Sequence, residues 1–286
     1  MAKIHWLASY PKSGNTWMRI LLTNYLRNGS EPADINRIDG GPIASARFWF
    51  DEWVGVEASA LDDSTIERLR PGVYRCMAGE EQNTLYMKVH DAWIRTDQGE
   101  ALFPAEVTAG VVYILRNPLD MAASCAHHWG VSMAQAVEDL CDSTYASSRS
   151  LGGMADQLRR FMGSWSSHVR SWLDESGLPV CLVRYEDLKR DPERYFGEVV
   201  SFCGLTLDTE RVHKAVSFSS FGELQRQEKE KGFQERSFKA PGDFFRRGEV
   251  GSWRDELAPD LAQQLIDTHG ETMRRFGYLD EKGQPV

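Results

Sequence analysis

Short apolar runs alternate with segments of helical periodicity along much of the chain. The runs at residues 4–9, 85–89, 110–115 and 180–183 are predicted strands, because they are short, apolar and bounded by polar residues. A helix is predicted after the first run, with its apolar positions at Trp17, Ile20, Leu21, Leu22 and Tyr25. Buried strands that alternate with amphipathic helices are typical of a parallel sheet covered on both faces. The pattern therefore predicts a three-layer α/β fold, with a short parallel β-sheet flanked by helices.

A second helical pattern lies between the third and fourth predicted strands, and we interpret its apolar stripe as core. The stripe consists of Leu158, Phe161, Met162, Trp165, Val169, Trp172 and Leu173. Residues 30–83 and 218–253 show no clear period and are predicted to be irregular. The aromatic residues at 48–53 either line a substrate pocket or pack beneath a loop. Because no repeat or linker divides the chain, we predict a single domain over residues 1–286.

Composition mainly excludes classes of function. The net charge of −9 argues against a nucleic-acid-binding protein that acts through a broad basic surface. No apolar segment approaches the length of a membrane span, and the N-terminus lacks the pattern of a secretory signal. The five cysteines are odd in number and widely spaced, which favours reduced thiols over disulfides or a zinc site. We therefore expect a cytoplasmic protein that acts on neither nucleic acid nor membranes.

The segment between the first strand and the first helix has the properties of a phosphate-binding loop. Free N–H groups at a helix start, together with the positive end of the helix dipole, attract anions. Gly14 permits close approach of a ligand to the backbone, and Lys12 adds a positive charge. Ser13, Asn15 and Thr16 add polar side chains. The alternative is a helix start that these residues cap for structural reasons alone.

This loop is not a Walker A motif, because its lysine precedes the glycine and the expected first glycine is absent. No predicted strand ends in the acidic residue that holds magnesium in P-loop nucleotide hydrolases, and the third strand ends at Arg116. The adjacent His127 and His128 point in different directions on a helix, and no third ligand is evident. We therefore predict an anionic ligand and no metal ion.

The sequence SYPKSGNTW at residues 9–17 resembles the 5′-phosphosulfate loop of the sulfotransferases that use 3′-phosphoadenosine 5′-phosphosulfate (PAPS). The usual form in that family is YPKSGTTW, so Asn15 stands where the family commonly has threonine. The resemblance implies that residues 12–16 form a P-loop-like phosphosulfate-binding loop and that Trp17 stacks on the adenine.

The end of the second predicted strand, Met87-Lys88-Val89-His90, resembles the K-T-H element of the family. An acceptor hydroxyl must lose a proton as it attacks sulfur, and histidine suits that step at neutral pH. Lys88 and His90 are two residues apart on a strand, so both project to the same face. The resemblance implies that His90 is the general base, and Lys88 can stabilise charge on the transferring group. In isolation, a histidine at a strand end more commonly has a surface or capping role.

Residues 113–120, followed by Ser124, are similar to the 3′-phosphate element of the family. Asn117 suits a helix N-cap and Pro118 the first helical position, so Arg116 stands at a strand-to-helix junction. A guanidinium group offers a fork of donors that matches a phosphate. The resemblance implies that Arg116 and Ser124 hold the 3′-phosphate of PAPS.

Three later segments resemble further elements of the family in the expected order. Residues 184–188 match the Y-E-D-L segment near the adenosine, residues 219–221 match the T-S-F element, and residues 244–253 match F-x-R-K-G-x-x-G-D-W. The nucleotide contacts implied by these segments are Tyr185, Ser219, Phe221, Arg246, Arg247 and Gly248. The last three would clamp the 3′-phosphate.

The resemblance implies transfer of a sulfuryl group from PAPS to a hydroxyl or amine of a small-molecule acceptor. His90 would deprotonate the acceptor, while Lys12 would stabilise the leaving phosphate. The alternatives are a kinase that uses ATP and magnesium on a variant loop, and a non-catalytic protein that binds PAPS. The aromatic residues suggest an aromatic or apolar alcohol as acceptor. The dimerisation pattern of the family is not evident after Trp253, so the oligomeric state is left open.

Overall fold

The computed structural model describes residues 3–41, 43–147 and 156–286, so the predicted domain start at residue 1 lies outside the described residues. The strands are β1 (Ile4–Ala8), β2 (Leu85–Val89), β3 (Thr108–Leu115), β4 (Ala146–Ser147), β5 (Arg160–Phe161) and β6 (Val180–Arg184). Four of them form a parallel sheet in the order β2-β1-β3-β6, and β4 pairs antiparallel with β5. The predicted strands and the α/β fold class are confirmed.

Helices connect the strands and cover the sheet. They are α1 (Asn15–Arg27), α2 (Arg47–Val54), α3 (Asp63–Glu80), α4 (Pro118–Trp129), α5 (Met133–Cys141), α6 (Trp165–Arg170), α7 (Tyr185–Arg190), α8 (Pro192–Phe202), α9 (Thr209–Phe218), α10 (Phe221–Lys231), α11 (Trp253–Glu256) and α12 (Pro259–Arg275). A π-helical turn at Ser171–Glu175 continues α6, and 3₁₀ turns lie at Ala58–Ala60 and Ala105–Val107. As predicted, Asn117 caps α4, because its Oδ1 accepts a hydrogen bond of 3.0 Å from the N–H of Leu119.

Alternate residues of the central strands contribute to two separate cores, one on each face of the sheet. Trp6 and Tyr113 lie in one core with side chains of α3, α4, α6 and α12. Leu7 and Val112 lie in the other core with side chains of α1, α8 and α9. Successive strand residues point to opposite faces, so a sheet that is buried on both sides requires continuous apolar runs. This is why the strands could be recognised from the sequence.

The four parallel strands present their carboxyl ends at one edge of the sheet. Ser9, His90, Arg116 and Tyr185 directly follow β1, β2, β3 and β6, respectively. Because β2 and β6 are the outer strands, His90 lies towards one side of this edge and Tyr185 towards the other. Ligands of open α/β sheets bind beyond these strand ends.

The helix predicted from Leu158 begins instead at Trp165. Gly163 has φ +61°, a left-handed conformation, and Ser164 caps the helix by accepting a hydrogen bond of 3.3 Å from the N–H of Ser167. The residues before this cap form β5, which pairs with β4. The interpretation of the stripe as core is confirmed by its buried members Leu158, Met162, Trp165, Val169 and Trp172.

The prediction of irregular structure for residues 30–83 and 218–253 is wrong in part, because α2, α3 and α10 lie there. Pro71 and Gly72 disfavour a helix interior and obscured the pattern of α3. Burial of Val73 and Tyr74 against the core outweighs that cost. Helix α10 is mostly charged and buries Leu224 in a third, smaller core.

Two further expectations concern cysteines and membranes. All five cysteines are free, and Cys125 and Cys203 are buried, as expected for reduced thiols. Within residues 3–41, 43–147 and 156–286, no helix is both long and apolar enough to cross a membrane.

Candidate active site

A cavity of about 1240 Å³ opens at the carboxyl edge of the sheet. It collects most of the residues that the motifs predicted. Those that line it are Lys12, Gly14, Asn15, Thr16, Trp17, Lys88, His90, Arg116, Ser124, Tyr185, Phe221, Arg246, Arg247 and Gly248. Residues separated by more than 230 positions in the sequence therefore contribute to one site.

Two of the predicted nucleotide-binding residues, Ser13 and Ser219, are not among the residues that line the cavity. Ser13 is 1% exposed, and its hydroxyl donates to Met121 Sδ at 3.5 Å. Ser219 is fully buried, and its carbonyl oxygen accepts a hydrogen bond of 2.9 Å from Trp17 Nε1. Ser219 thus fixes the orientation of the Trp17 ring. Ser13 retains its backbone N–H as its means of contacting an anion.

The phosphate loop has a backbone that most residues could not adopt. Lys12 has φ +68°, a region that non-glycine residues seldom occupy. Gly14 has φ +103°, and a Cβ atom there would lie 2.7 Å from Cδ2 of Tyr185. Asn15 anchors the loop, because its Nδ2 donates to the carbonyl of Leu7 at 2.7 Å and to Ser9 Oγ at 3.2 Å. The side-chain amide of Asn15 therefore binds β1, and only the backbone of this residue remains for an anion.

The ammonium group of Lys12 is enclosed in the cavity. Its Nζ lies 3.6 Å from the ring centroid of Phe244, a cation–π contact. Burial, together with the charges of Lys88 and Arg116, lowers the pKa of Lys12 to about 7. This lysine is therefore poised to gain a full charge when an anion binds beside it.

The imidazole of His90 is held in one tautomer. Its Nδ1 lies 2.8 Å from the carbonyl oxygen of Ser9, and a carbonyl can only accept, so Nδ1 carries the proton. The unprotonated nitrogen is then Nε2. The carbonyl of His90 accepts a hydrogen bond of 3.2 Å from His168 Nε2, and Tyr113 donates to the other nitrogen of that ring at 2.8 Å. Burial and the charges of Lys88 and Arg160 hold the pKa of His90 well below its usual value, so the imidazole is neutral at pH 7.

Glu235 is a member of the site that the motifs did not reveal. Its Oε2 accepts from Lys88 Nζ at 3.0 Å and from Thr16 Oγ1 at 3.3 Å, and its Oε1 accepts from Arg19 Nη1 at 2.5 Å. Arg19 is only 2% exposed. Although burial alone would raise the pKa of Glu235, the charges of Lys88 and Arg19 hold it below the usual value. The carboxylate thus binds two residues that were predicted to contact the phosphosulfate.

Arg116 is a cation without a described carboxylate partner. Its Nη1 and Nη2 donate to the carbonyls of Lys12 and Glu249 at 3.1 and 3.2 Å, and its Nε is buried without a hydrogen bond. The guanidinium carbon lies 4.4 Å from the ring centroid of Tyr185. A buried guanidinium that donates only to uncharged carbonyls keeps its positive charge unbalanced, and it is therefore suited to binding an anion.

The segment of the predicted clamp, residues 246–253, contacts the rest of the protein through two carboxylates, those of Glu256 and Asp120. Arg246 and Arg247 share the carboxylate of Glu256, with N–O distances of 2.9 and 2.7 Å. Asp120 accepts hydrogen bonds from the backbone N–H groups of residues 251 and 253 at 2.8 and 3.0 Å. Gly248 has φ +64°, and a Cβ atom there would lie 2.5 Å from the Phe221 ring. These contacts bring both arginines to the cavity.

Two cations, Arg19 and Arg160, also escaped the sequence analysis. Arg19 interrupts the buried face of α1, and this is a signal that could have indicated it. Arg160 lies in the stripe that was read as a helix. Among the described residues, no group of three or more His, Cys, Asp and Glu side chains is arranged to hold a metal ion.

Comparisons with known proteins agree with the motifs. The family profile described as "Sulfotransferase domain" matches residues 3–277. Sulfotransferase 2A6 of Rattus norvegicus is 25% identical over 276 residues, which cover 94% of this chain and 84% of the rat protein. Sulfotransferase 1A1 of Bos taurus is 26% identical over 286 residues, which cover 92% of this chain and 80% of the bovine protein.

Two solved structures show the same fold. The mouse sulfotransferase SULT7A1, crystallised with 3′-phosphoadenosine 5′-phosphate (PAP), is 20% identical with a TM-score of 0.59. The match covers 98% of this chain and 87% of the mouse chain. A retinol dehydratase crystallised with retinol and PAP is 17% identical with a TM-score of 0.61, and the match covers 95% of this chain and 81% of the other. The chain therefore belongs to the sulfotransferase family, and the predicted class of enzyme, a PAPS-dependent sulfotransferase, is confirmed.

Proposed function

We propose that this enzyme uses His90 as general base, and that Lys12 and Lys88 stabilise the charge that develops during transfer. The observation that carries the proposal is the imidazole of His90, which keeps Nε2 unprotonated in a cavity that it shares with both ammonium groups. The reaction moves a sulfuryl group from PAPS to a hydroxyl or amine of a small molecule and releases 3′-phosphoadenosine 5′-phosphate (PAP). The chain performs it as a single domain.

His90 accepts the acceptor proton at Nε2, because its Nδ1–H is committed to the carbonyl of Ser9. Desolvation and neighbouring cations lower the pKa of His90. A bound anion beside Lys88 offsets those cations, which makes protonation of the imidazole less costly as the acceptor attacks. A neutral histidine next to a bound anion is therefore a competent base.

Lys12 donates to the oxygen that becomes the leaving phosphate, and Lys88 contacts the transferring sulfuryl group. Lys88 releases Glu235 when it does so, and Arg19 keeps that carboxylate paired. Preorganised charges of this kind stabilise an in-line displacement without reorganisation at the moment of reaction.

Arg116 and Ser124, with Arg246, Arg247 and the backbone of Gly248, hold the 3′-phosphate of the nucleotide. Arg116 supports this role because no described carboxylate neutralises it. The rings of Trp17, Tyr185 and Phe221 surround the adenosine, and the edge-to-face contact of Trp17 with Tyr185 at 5.9 Å supports this arrangement. Residues 12–16 supply backbone N–H groups to the 5′-phosphosulfate.

A His90→Ala variant tests the assignment of the base. Loss of a positioned base lowers kcat by roughly 10²–10⁴-fold, while binding of PAP changes little. His213→Ala is the matched control, because this histidine is exposed and pairs with Glu193 at 2.7 Å. Turnover is measured with labelled PAPS and an acceptor panel, and PAP binding by calorimetry. Full activity of His90→Ala would refute the assignment.

Nucleotide choice is tested separately by thermal stabilisation. A ligand that binds only the folded state raises the melting temperature, and at equal concentrations the ligand that binds more tightly raises it more. We expect PAP to stabilise the protein far more than ATP with magnesium does. A preference for ATP would contradict the proposed roles of the residues that hold the 3′-phosphate.

A further inference from the structure

Two adjacent arginines at the start of β5, Arg159 and Arg160, have different surroundings. Arg159 pairs with Glu67 at 2.7 Å and with Asp63 at 3.5 Å. Arg160 is the first residue of β5 and lines the active-site cavity, whereas Arg159, which precedes the strand, is not among the residues that line it. Arg159 thus has two carboxylate partners outside the cavity. The charge of Arg160, in contrast, lies at the cavity and is not balanced by those carboxylates.

Arg160 has no such partner in the part of the chain that the structure describes. No carboxylate there forms an ion pair with it, its guanidinium donates no hydrogen bond to a described residue, and its Nε is buried without a partner. The negative charge of the buried Asp91 acts on Arg160, but that carboxylate forms its ion pair with Arg70, at 2.7 Å. A desolvated guanidinium without a directly bonded counter-ion is costly, and proteins usually pair such a group. A cation of this kind facing a substrate cavity is a candidate for binding an anionic group of a ligand.

The position of Arg160 favours the acceptor over the nucleotide. The N–H of Ala92, two residues after His90, donates to the carbonyl of Phe161 at 2.8 Å. Arg160 therefore stands at the β2 side of the sheet, and its charge is among the causes that lower the pKa of His90. Arg116 and Tyr185, which hold the nucleotide in the proposed function, follow β3 and β6 on the opposite side.

The rest of this end of the cavity fits an aromatic molecule with a polar group. Phe48 and Phe238, which are 51% and 93% exposed, line it together with Trp129 and Tyr145. The pocket is therefore neither uniformly apolar nor uniformly polar. The aromatic rings suit the body of an acceptor, and the guanidinium of Arg160 suits a charged substituent.

We propose that Arg160 binds a carboxylate of the acceptor, so that the preferred acceptors are hydroxylated aromatic carboxylic acids. This inference rests on the proposed function, because it needs His90 to mark the acceptor end of the cavity. It narrows the acceptor from an aromatic or apolar alcohol to one that carries a negative charge away from the reacting hydroxyl.

A matched pair of acceptors tests the proposal. The probes are 3-(4-hydroxyphenyl)propanoate and its methyl ester, which share the same phenol and differ in charge. We expect wild type to prefer the acid, and Arg160→Gln to lower the acid-to-ester ratio of kcat/KM by roughly 10–100-fold, the effect of one charge-assisted pair. Arg160→Lys should restore part of the ratio. Arg159→Gln is the control and should leave the ratio at the wild-type value, although it removes a nearby arginine.

The outcomes separate this inference from the proposed function. Equal use of acid and ester by wild type, or an unchanged ratio in Arg160→Gln, overturns the role of Arg160 and leaves the role of His90 intact. An equal loss for both acceptors in Arg160→Gln also overturns it, as does weakened PAP binding, because either would place the arginine at the reacting group or the nucleotide. If His90→Ala sulfates the ester as fast as wild type, the proposed function fails instead.

Discussion

Glu235 connects the buried Arg19 to Lys88 in the cavity, and replacement of Glu235 by glutamine measures what that connection contributes. The carboxylate lies 2.5 Å from Arg19 Nη1 and 3.0 Å from Lys88 Nζ. The Arg19 side chain is 2% exposed and the Lys88 side chain 16% exposed. Glutamine keeps the size of the side chain and one acceptor oxygen but supplies no charge. Both cations therefore lose their common counter-ion.

The expected loss of stability follows from the burial of the pair. Removing one partner of a fully buried ion pair costs about 3–5 kcal/mol. The Glu235 side chain is 29% exposed, so water screens part of the lost charge, and the amide oxygen still accepts one hydrogen bond. We therefore expect Glu235→Gln to lower the free energy of unfolding by about 2 kcal/mol. At about 2–4 °C per kcal/mol for a domain of comparable size, the melting temperature should fall by about 4–8 °C.

The sign of the pH dependence provides a second check. The folded-state pKa of Glu235 lies below its usual value, so its contribution is present above the unfolded pKa of about 4.3 and is lost as pH falls through the folded pKa. The difference in melting temperature between wild type and Glu235→Gln should therefore be constant from pH 6 to 8. It should shrink progressively as pH falls below about 4.3, the unfolded pKa, towards the lower folded-state pKa.

Thermal unfolding followed by circular dichroism measures both quantities. Glu230→Gln is the matched control, because this carboxylate is 53% exposed and pairs with the exposed Arg226 on the same helix. Such surface pairs contribute less than about 1 kcal/mol. If Glu235→Gln melts within 1 °C of wild type, or no lower than Glu230→Gln, the network does not stabilise the fold in the way argued.

Two further predictions concern the phosphate loop. Gly14→Ala should lower the melting temperature and weaken PAP binding at least tenfold, because φ +103° and the 2.7 Å approach to the Tyr185 ring leave no room for a Cβ atom. In the control Gly222→Ala, the added Cβ atom would have no neighbouring atom within 4 Å, so both the melting temperature and PAP affinity should stay at their wild-type values. Calorimetry and thermal unfolding compare the two variants. Because the pKa of Lys12 is about 7, its charged form disappears as pH rises, so PAP affinity should fall by up to tenfold per pH unit above 7. Calorimetry from pH 6.5 to 8.5 should show this fall in wild type and a flatter profile in Lys12→Arg; equal profiles would exclude Lys12 as the titrating group.

Local pattern was sufficient to predict the fold where burial on both faces leaves continuous apolar runs. The predicted strands at 85–89 and 180–183 agree with β2 and β6 to within one residue. The pattern failed for α3, where Pro71 and Gly72 break the helical signal although packing against the core maintains the helix. It failed again before α6, because Gly163 stops a stripe that would otherwise read as a longer helix. Tertiary packing overrides local preference at α3, whereas a left-handed glycine and a capping serine interrupt the apolar stripe before α6.

The motifs identified the residues whose type alone suggests their chemistry, such as Lys12, His90 and Arg116. They did not indicate Glu235. Its partner Arg19 lies 216 positions away in the sequence, and the role of either charge becomes visible only when the two are known to form an ion pair. Arg159 and Arg160 make the point most directly, since they are residues of identical type at adjacent positions in the sequence. One is neutralised by two carboxylates and the other faces the cavity without a described partner. A prediction of the acceptor from aromatic residues alone leaves out this cation, and only the arrangement of charges in three dimensions reveals it.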